Sequence, residues 1–226
     1  MESQRFPGKP LVDINGIPMV VRVYRQASRS ASLSDLYVCT DSNEIIEVLK
    51  EWDCNYIKTS KLPVNGTERC AEALLTLTNQ PDAVINIQGD EPFIHPRQIT
   101  QIAELLATGV HIATLAKSIF HKTDIENTNV VKVDIHPSGI ATNFYRNAAF
   151  DSYQHFFKHI GIYGYTYDTL LKIVQLEPTQ KEQERSLEQW RWLDNGLQIH
   201  VNTTNFDAYS VDTKADLENI LSKFNQ

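Results

Sequence analysis

The residues of the chain predict an α/β architecture: a mostly parallel sheet covered on both faces, with a small antiparallel appendage. Three observations lead there. Apolar runs of strand length alternate with segments of helical period through the first half, which is the signature of βαβ units. Ala83-Val-Ile-Asn-Ile87 is too apolar for a strand buried on one face only, and so reads as a central strand. Beyond residue 117 the rhythm changes, and two β-rich stretches flank His136-Pro-Ser-Gly139, a turn-rich tetrad that implies a hairpin.

The elements follow in order. Met19, Val20, Val23, Tyr24 and Ala27 repeat at helical spacing behind Pro18, a good first-turn residue. Residues 36–40 read as a buried strand. Asp41 or Ser42 can cap the next helix, whose Ile45, Ile46, Leu49 and Trp52 share one face. Residues 54–58 form a short strand, and residues 67 to about 77 have helical period. The strand at 83–87 comes next, then a helix over 96–106 and a strand over 111–117. Residues 129–134 and 140–146 are the arms of the predicted hairpin. A strand over 160–165, a helix containing 187–193 and a strand over 197–201 complete the sheet. Val211-Asp-Thr213 opens the last helix, with Thr213 and Asp216 near capping-box spacing.

A length of 226 residues suits one domain with a lobe at about 125–158. With 42% hydrophobic and 22% charged residues, the composition is that of an ordered globular protein. Lys and Arg total 21 against 28 Asp and Glu, a net charge of −7, and no basic run forms a stripe that could track a nucleic acid backbone. Cys39, Cys54 and Cys70 are odd in number and lack metal-ligand spacing, which suits buried thiols in a reducing cytoplasm. No stretch approaches the roughly 20 apolar residues of a membrane span, so no membrane partner is expected. No GxGxxG follows a strand, which disfavours a dehydrogenase.

Ligands of open α/β sheets bind at the carboxyl ends of the strands. Gln88, Asp90 and Glu91 follow directly on the most apolar strand, and a carboxylate there can hold Mg2+ against a nucleotide phosphate. An isolated Gly-Asp is more often a solvated turn. Arg5-Phe-Pro-Gly-Lys9 places a bidentate donor and a point charge around a Pro-Gly turn, as a polyphosphate requires. Asn65-Gly-Thr-Glu-Arg69 leads into a helix, so Asn65 or Thr67 can cap it, or its amides can meet a base or phosphate. His159 and Tyr163, four apart on a strand, face one side and can line one pocket. Glu188 and Gln189 sit among Leu187, Trp190 and Leu193, where a solvated helix face also accounts for them. Asp212 occupies an ordinary helix-start position, and its interest depends on Asp90.

Taken in order, RFPGKPLVDINGIPM (5–19), CTDSNEI (39–45), NGTER (65–69), VINIQGDEP (84–92), ATLA (113–116), NVVKV (129–133), HIGIYGY (159–165), SLEQWRWLDNG (186–196) and VDTKADL (211–217) resemble the 3-deoxy-manno-octulosonate (Kdo) cytidylyltransferases, or CMP-Kdo synthetases, over nearly the whole chain. The resemblance implies a Rossmann-like mixed sheet of the nucleotide-diphospho-sugar transferase type with a small β-hairpin dimerisation lobe, hence a homodimer. It also implies that CTP and Kdo give CMP-Kdo and pyrophosphate with Mg2+ as cofactor, a product that feeds lipopolysaccharide biosynthesis. On it, Asp90 and Asp212 hold the metal, and Arg5 and Lys9 neutralise the triphosphate. Asn65, Gly66, Thr67 and Arg69 fall near the nucleotide. Gln88, Arg146, His159, Tyr163, Glu188 and Gln189 match the sugar-acid pocket.

Three departures stand beside it. The family's apolar first strand and Pro-Ala-Arg have no counterpart ahead of Glu2-Ser3-Gln4-Arg5, so a start placed too late is expected. Pro63-Val-Asn65 replaces a His and a Ser, and Asn143-Phe-Tyr-Arg-Asn147 with Ala148-Ala-Phe150 replaces a Tyr-Phe-Ser-Arg segment and a Pro-rich one. The other readings are a truncated non-catalytic paralogue, and a cytidylyltransferase for 8-amino-Kdo or a sialic-type acid.

Overall fold

The computed structural model describes residues 6–151 and 154–224. A single 3-10 turn (Lys9–Leu11) leads into β1 (Asp13–Ile14), β2 (Ile17–Pro18), α1 (Met19–Ala27), β3 (Val38–Thr40), α2 (Asn43–Glu51), β4 (Tyr56–Lys58), α3 (Gly66–Leu74) and β5 (Ala83–Asn86). Then come α4 (Pro96–Leu106), β6 (Ile112–Ile119), α5 (Lys122–Ile125), β7 (Lys132–Ile135), β8 (Ala141–Tyr145) and β9 (Phe156–Thr166). The chain ends with α6 (Tyr167–Ile173), α7 (Gln180–Arg185), α8 (Gln189–Asp194), β10 (His200–Thr203) and α9 (Lys214–Phe224). It divides into two compact units, Met1–Gln80 with Asn86–Thr100 and Ala208–Gln226, and Pro81–Ile85 with Gln101–Asp207.

In the first unit, β1 and β2 form a short antiparallel hairpin around Asn15-Gly16, both at positive φ (55° and 80°). Two such residues make the tight turn whose twist matches paired strands, and the Asn-Gly pair was an available signal. β3 and β4 pair in parallel. The apolar faces of α1 and α2 meet in a cluster of Val20, Val21, Ile45, Leu49 and Cys54. A second cluster joins Phe6, Ile14 and Met19 to Val211 and Ile220, so α9 packs on the N-terminal segment. Ser42, rather than Asp41, caps α2 by accepting from Ile45 N at 3.4 Å. At α9 the capping box is reciprocal: Thr213 Oγ1 accepts from Asp216 N at 3.2 Å and Asp216 Oδ2 accepts from Thr213 N at 2.8 Å. Of the three free thiols only Cys54 is buried, while Cys39 and Cys70 are half-buried.

The second unit carries a sheet in the order β10-β6-β9-β7-β8, with β5 also paired to β9. β10 and β6 run parallel, but β9, the longest strand, runs antiparallel to both β6 and β7. The sheet is therefore mixed, where strand–helix alternation alone predicted a mostly parallel one. The β7–β8 hairpin forms as the His136–Gly139 turn predicts. β5 differs from its reading as a strand buried on both faces: Ala83, Val84 and Ile85 are half-buried, and β9 is its one ladder partner among the described residues. Trp192, Tyr165 and Phe144 are the largest apolar side chains of the second core. Trp192 meets Tyr163 and Tyr165 edge to face, at centroid distances of 5.1 and 5.7 Å. Gly164 lets α4 lie close on β9, because a Cβ there would stand 2.4 Å from Ile102 Cγ2 and 2.6 Å from Leu106 Cδ1.

Candidate active site

Three segments distant in sequence converge in the first unit. Gly8, at φ 72°, turns the chain into the 3-10 turn that begins at Lys9. The Lys9 ammonium, only 14% exposed, donates to Asp90 Oδ2 at 2.7 Å and to Asp212 Oδ1 at 3.2 Å. Asp90 lies in the turn after β5, which closes through Glu91 N to Gln88 O at 3.3 Å. Asp212 is set by the α9 cap, where Asp216 Oδ2 accepts from its backbone N at 3.1 Å. Val211 N donates to Asp90 O at 2.9 Å and ties the two carboxylate-bearing loops together. Burial opposes the charge on Lys9, but hydrogen bonds and attraction from Asp90 and Asp212 outweigh it and hold the pKa above the ordinary lysine value. The cluster thus keeps two carboxylates on one cation, with a net negative charge.

That arrangement fits a divalent metal. The ammonium stands in as the single cation on which both carboxylates aim, and Mg2+ is commonly held by one or two protein carboxylates plus substrate phosphates. Among the described residues no cluster of three or more His, Cys, Asp or Glu side chains forms a fuller ligand set.

Around this cluster the predicted nucleotide residues are mainly engaged with the protein. Asn65 Oδ1 accepts from Glu68 N at 2.8 Å and so caps α3. Thr67 is buried, and Gly66 brings the start of α3 against Asn86 and Gln88: a Cβ would lie 3.1 Å from Asn86 Nδ2 and 3.6 Å from Gln88 Nε2. Arg69 pairs with Asp41 Oδ1 at 3.1 Å and donates to Thr59 Oγ1 and the Ser60 carbonyl, bracing the loops after β3 and β4. Gln88, matched by resemblance to the sugar pocket, sits half-buried in this unit. Arg5 lies outside the described residues.

The second unit gathers the other predicted group. On a regular strand residues four apart stand about 13 Å from one another, yet the rings of His159 and Tyr163 are 5.3 Å apart. A bulge explains the approach. Thr114 of β6 faces Tyr163 while Leu115 faces Ile160, so Gly161 and Ile162 fall out of register. Tyr163 and His159 are then opposite Thr114 and Ala116, only two positions apart on β6.

His159 is buried, and its burial pushes the imidazole down to about 3, leaving a neutral ring. Burial likewise holds the Tyr163 phenol well above its ordinary pKa, despite a hydrogen bond from Gln189 that acts the other way. Gln189 Nε2 donates to Tyr163 Oη, while Gln189 Oε1 is buried with no partner among the described residues. Glu188, half-buried at the start of α8, is close enough for its charge to favour the neutral phenol. α8 is held by a buried pair in which Arg191 donates to both Glu182 oxygens, at 2.8 and 2.6 Å.

Arg146 is not part of this group. Its Nη1 donates to the Thr128 and Asn129 carbonyls at 3.4 Å each, and its own carbonyl accepts from the fully buried Lys132 at 2.7 Å. Thr114 was missed as a site residue, although a hydroxyl inside the apolar run Ile112-Ala-Thr-Leu-Ala116 was a visible signal that something in the core needs it.

Comparison with known proteins identifies the family. A family model described as cytidylyltransferase matches residues 1–199. A 3-deoxy-manno-octulosonate cytidylyltransferase of Cytophaga hutchinsonii is 39% identical over 95% of this chain and 90% of its own. One from Thermodesulfovibrio yellowstonii is 36% identical, covering 96% and 91%. The solved structure of a CMP:2-keto-3-deoxy-manno-octonic acid synthetase complexed with CTP has a TM-score of 0.91 at 31% identity, over 98% of this chain and 93% of that one. A 4-diphosphocytidyl-2C-methyl-D-erythritol synthase from Anaerococcus prevotii, at 13% identity and a TM-score of 0.64 over 96% and 93%, shares the fold alone. By sequence over almost its entire length, and by fold, the chain belongs to the 3-deoxy-manno-octulosonate cytidylyltransferase family.

Proposed function

We infer that the chain is a CMP-Kdo synthetase, which transfers the cytidylyl group of CTP to Kdo and releases pyrophosphate. The observation that carries the reading is the Lys9 ammonium held between the Asp90 and Asp212 carboxylates. The anomeric hydroxyl of the sugar acid forms a bond to the α-phosphorus as the bond to the bridging oxygen of the β-phosphate breaks, and the hydroxyl proton passes to water. Catalysis of such a step is mostly alignment and charge neutralisation.

Asp90 and Asp212 would hold magnesium, which when bound supplies positive charge at the phosphates. Lys9, the cation already in their company, faces the triphosphate. The start of α3 offers backbone donors to the nucleotide. In the second unit, Tyr163, Glu188, Gln189 and His159 supply polar partners for the carboxylate and hydroxyls of the sugar acid. Gln189 Oε1, without a partner among the described residues, favours a ligand hydroxyl there. With a pKa near 3 the His159 ring is a poor base at neutral pH, so its part is hydrogen bonding rather than proton transfer.

The homodimer, with the β7–β8 region as its lobe, belongs to the same reading, and the exposed Phe120 (70%) and Phe150 (41%) of the second unit are apolar surface for it. CTP as co-substrate places the reaction in the cytoplasm, and no helix among the described residues is long and apolar enough to cross a membrane.

Pyrophosphate release from CTP, Kdo and Mg2+ tests the assignment. Asp90→Asn and Asp212→Asn are each expected to lower turnover by about two orders of magnitude or more while unfolding near the native midpoint. Native-like Mg2+-dependent turnover in both variants removes the metal assignment, and turnover with a different sugar acid but not Kdo removes the acceptor.

A further inference from the structure

We propose that Thr114 is a positioning residue: its hydroxyl clamps the β9 bulge and holds His159 as the tautomer protonated on Nε2, so that the ring offers Nδ1 as an acceptor to a hydroxyl of the sugar acid. The proposal rests on the reading of His159 as a sugar-acid contact.

The tautomer follows from counting hydrogens. Thr114 Oγ1 lies 2.8 Å from Ile162 O, 3.2 Å from Ile160 O and 3.0 Å from His159 Nε2, the residue is fully buried, and the Tyr163 hydroxyl beside it has its own proton to give. A hydroxyl has one proton to give, and carbonyl oxygens can only accept. If that proton went to the ring, two carbonyl oxygens would face the Thr114 lone pairs at close range with no hydrogen between them, in a site closed to water. The hydroxyl therefore donates toward the carbonyls, to Ile162 O above all, and accepts from Nε2–H of His159. Nδ1 is then the ring's lone-pair nitrogen, and it has no hydrogen-bond partner among the described residues.

The same hydroxyl serves the backbone. Ile160 and Ile162 flank Gly161 in the segment that leaves the β6 register, and their carbonyls are the two that the single Thr114 proton lies against. The bulge brings His159 to within 5.3 Å of Tyr163, and Phe144 closes on the imidazole edge to face at 5.3 Å. Thr114 thus fixes where the ring sits and which nitrogen faces outward. A fixed acceptor discriminates for a hydroxyl donor at the matching position of the ligand, since a ligand without one leaves the nitrogen unpaired.

Long-range 1H–15N NMR on the uniformly 15N-labelled native chain should show one His159 tautomer, with the proton on Nε2. A native chain protonated on Nδ1 overturns the proposal whatever any variant does. Thr114→Val keeps the shape without the hydroxyl and is expected to yield mixed tautomers, about a tenfold higher KM for Kdo and an unchanged KM for CTP. Thr114→Ser restores the hydroxyl and should return both readouts toward native values. A Thr114→Val chain that keeps the single Nε2–H tautomer overturns the clamp. Mixed tautomers with an unchanged KM for Kdo leave the clamp but overturn the sugar contact on which its purpose rests.

Discussion

Acidification should cost this protein stability, and His159 in particular should contribute to the loss. The ring is 8% exposed and, among the described residues, hydrogen-bonded only to the Thr114 hydroxyl, with Phe144 and Tyr163 packed on it. Loss of water penalises the imidazolium and pushes the pKa from the ordinary 6.5 down to about 3. Between those values the unfolded chain binds a proton that the native chain refuses. The contribution is therefore whole above the unfolded value and is lost as pH falls toward the folded one. At about pH 4.5 the unfolded ring is two pH units below its pKa while the native ring is still neutral, and at about 1.36 kcal/mol per unit the loss is roughly 3 kcal/mol.

Urea unfolding at about pH 7.5 and pH 4.5 reads this on the native chain and on His159→Gln, which cannot titrate. Contributions from carboxylates and from the other histidines are common to both chains and cancel in the comparison. The native chain should lose about 3 kcal/mol more than the variant across the interval. Equal losses in the two chains would refute the claim that the ring is held neutral by burial.

Two further predictions concern packing. Gly164→Ala pushes a methyl group into Ile102 and Leu106 of α4, and should destabilise by about 1–3 kcal/mol without altering the KM values of the folded fraction. A midpoint equal to the native one would mean that α4 yields at no cost. Arg191→Ala strands the Glu182 carboxylate in a nearly closed pocket and is expected to cost about 3–5 kcal/mol, read as a shift in denaturation midpoint. A loss under about 1 kcal/mol would show that water reaches the pair as it does at a surface.

Local signals in the sequence carried much of this structure. Helical spacing behind Pro18, the turn tetrad at 136–139 and the Thr213–Asp216 spacing all correspond to observed elements, since each rests on contacts between near neighbours. Asn15-Gly16 was as strong a hairpin signal as any and passed unread. What local reasoning could not give were the quantities set by distant partners. The apolar run of β5 said nothing about having one ladder partner, and helix–strand alternation said nothing about the direction of β9.

The candidate site divides along the same line. Asp90, Asp212 and Lys9 were each unremarkable turn or cap residues until resemblance linked them, and their convergence is a tertiary fact. Asn65 turned out to be the helix cap that its residue type allowed. The rings of His159 and Tyr163 do meet, but regular strand periodicity would have left them too far apart, and the two-residue bulge that joins them had no sequence signal beyond Gly161 itself.

The bond from Val211 N to Asp90 O has a consequence for how the protein can be watched. Asp212 enters the site from the residue before the α9 cap, and α9 is docked through Val211 and Ile220. When the start of the last helix opens, the site therefore loses a negative charge, and the Asp90 loop loses the bond from Val211. Linkage is reciprocal, so anything that draws Asp90 and Asp212 together must slow amide hydrogen exchange along α9 by the same free energy. The C-terminal helix is in this sense a gauge of site occupancy, readable from its exchange rates even when no turnover takes place.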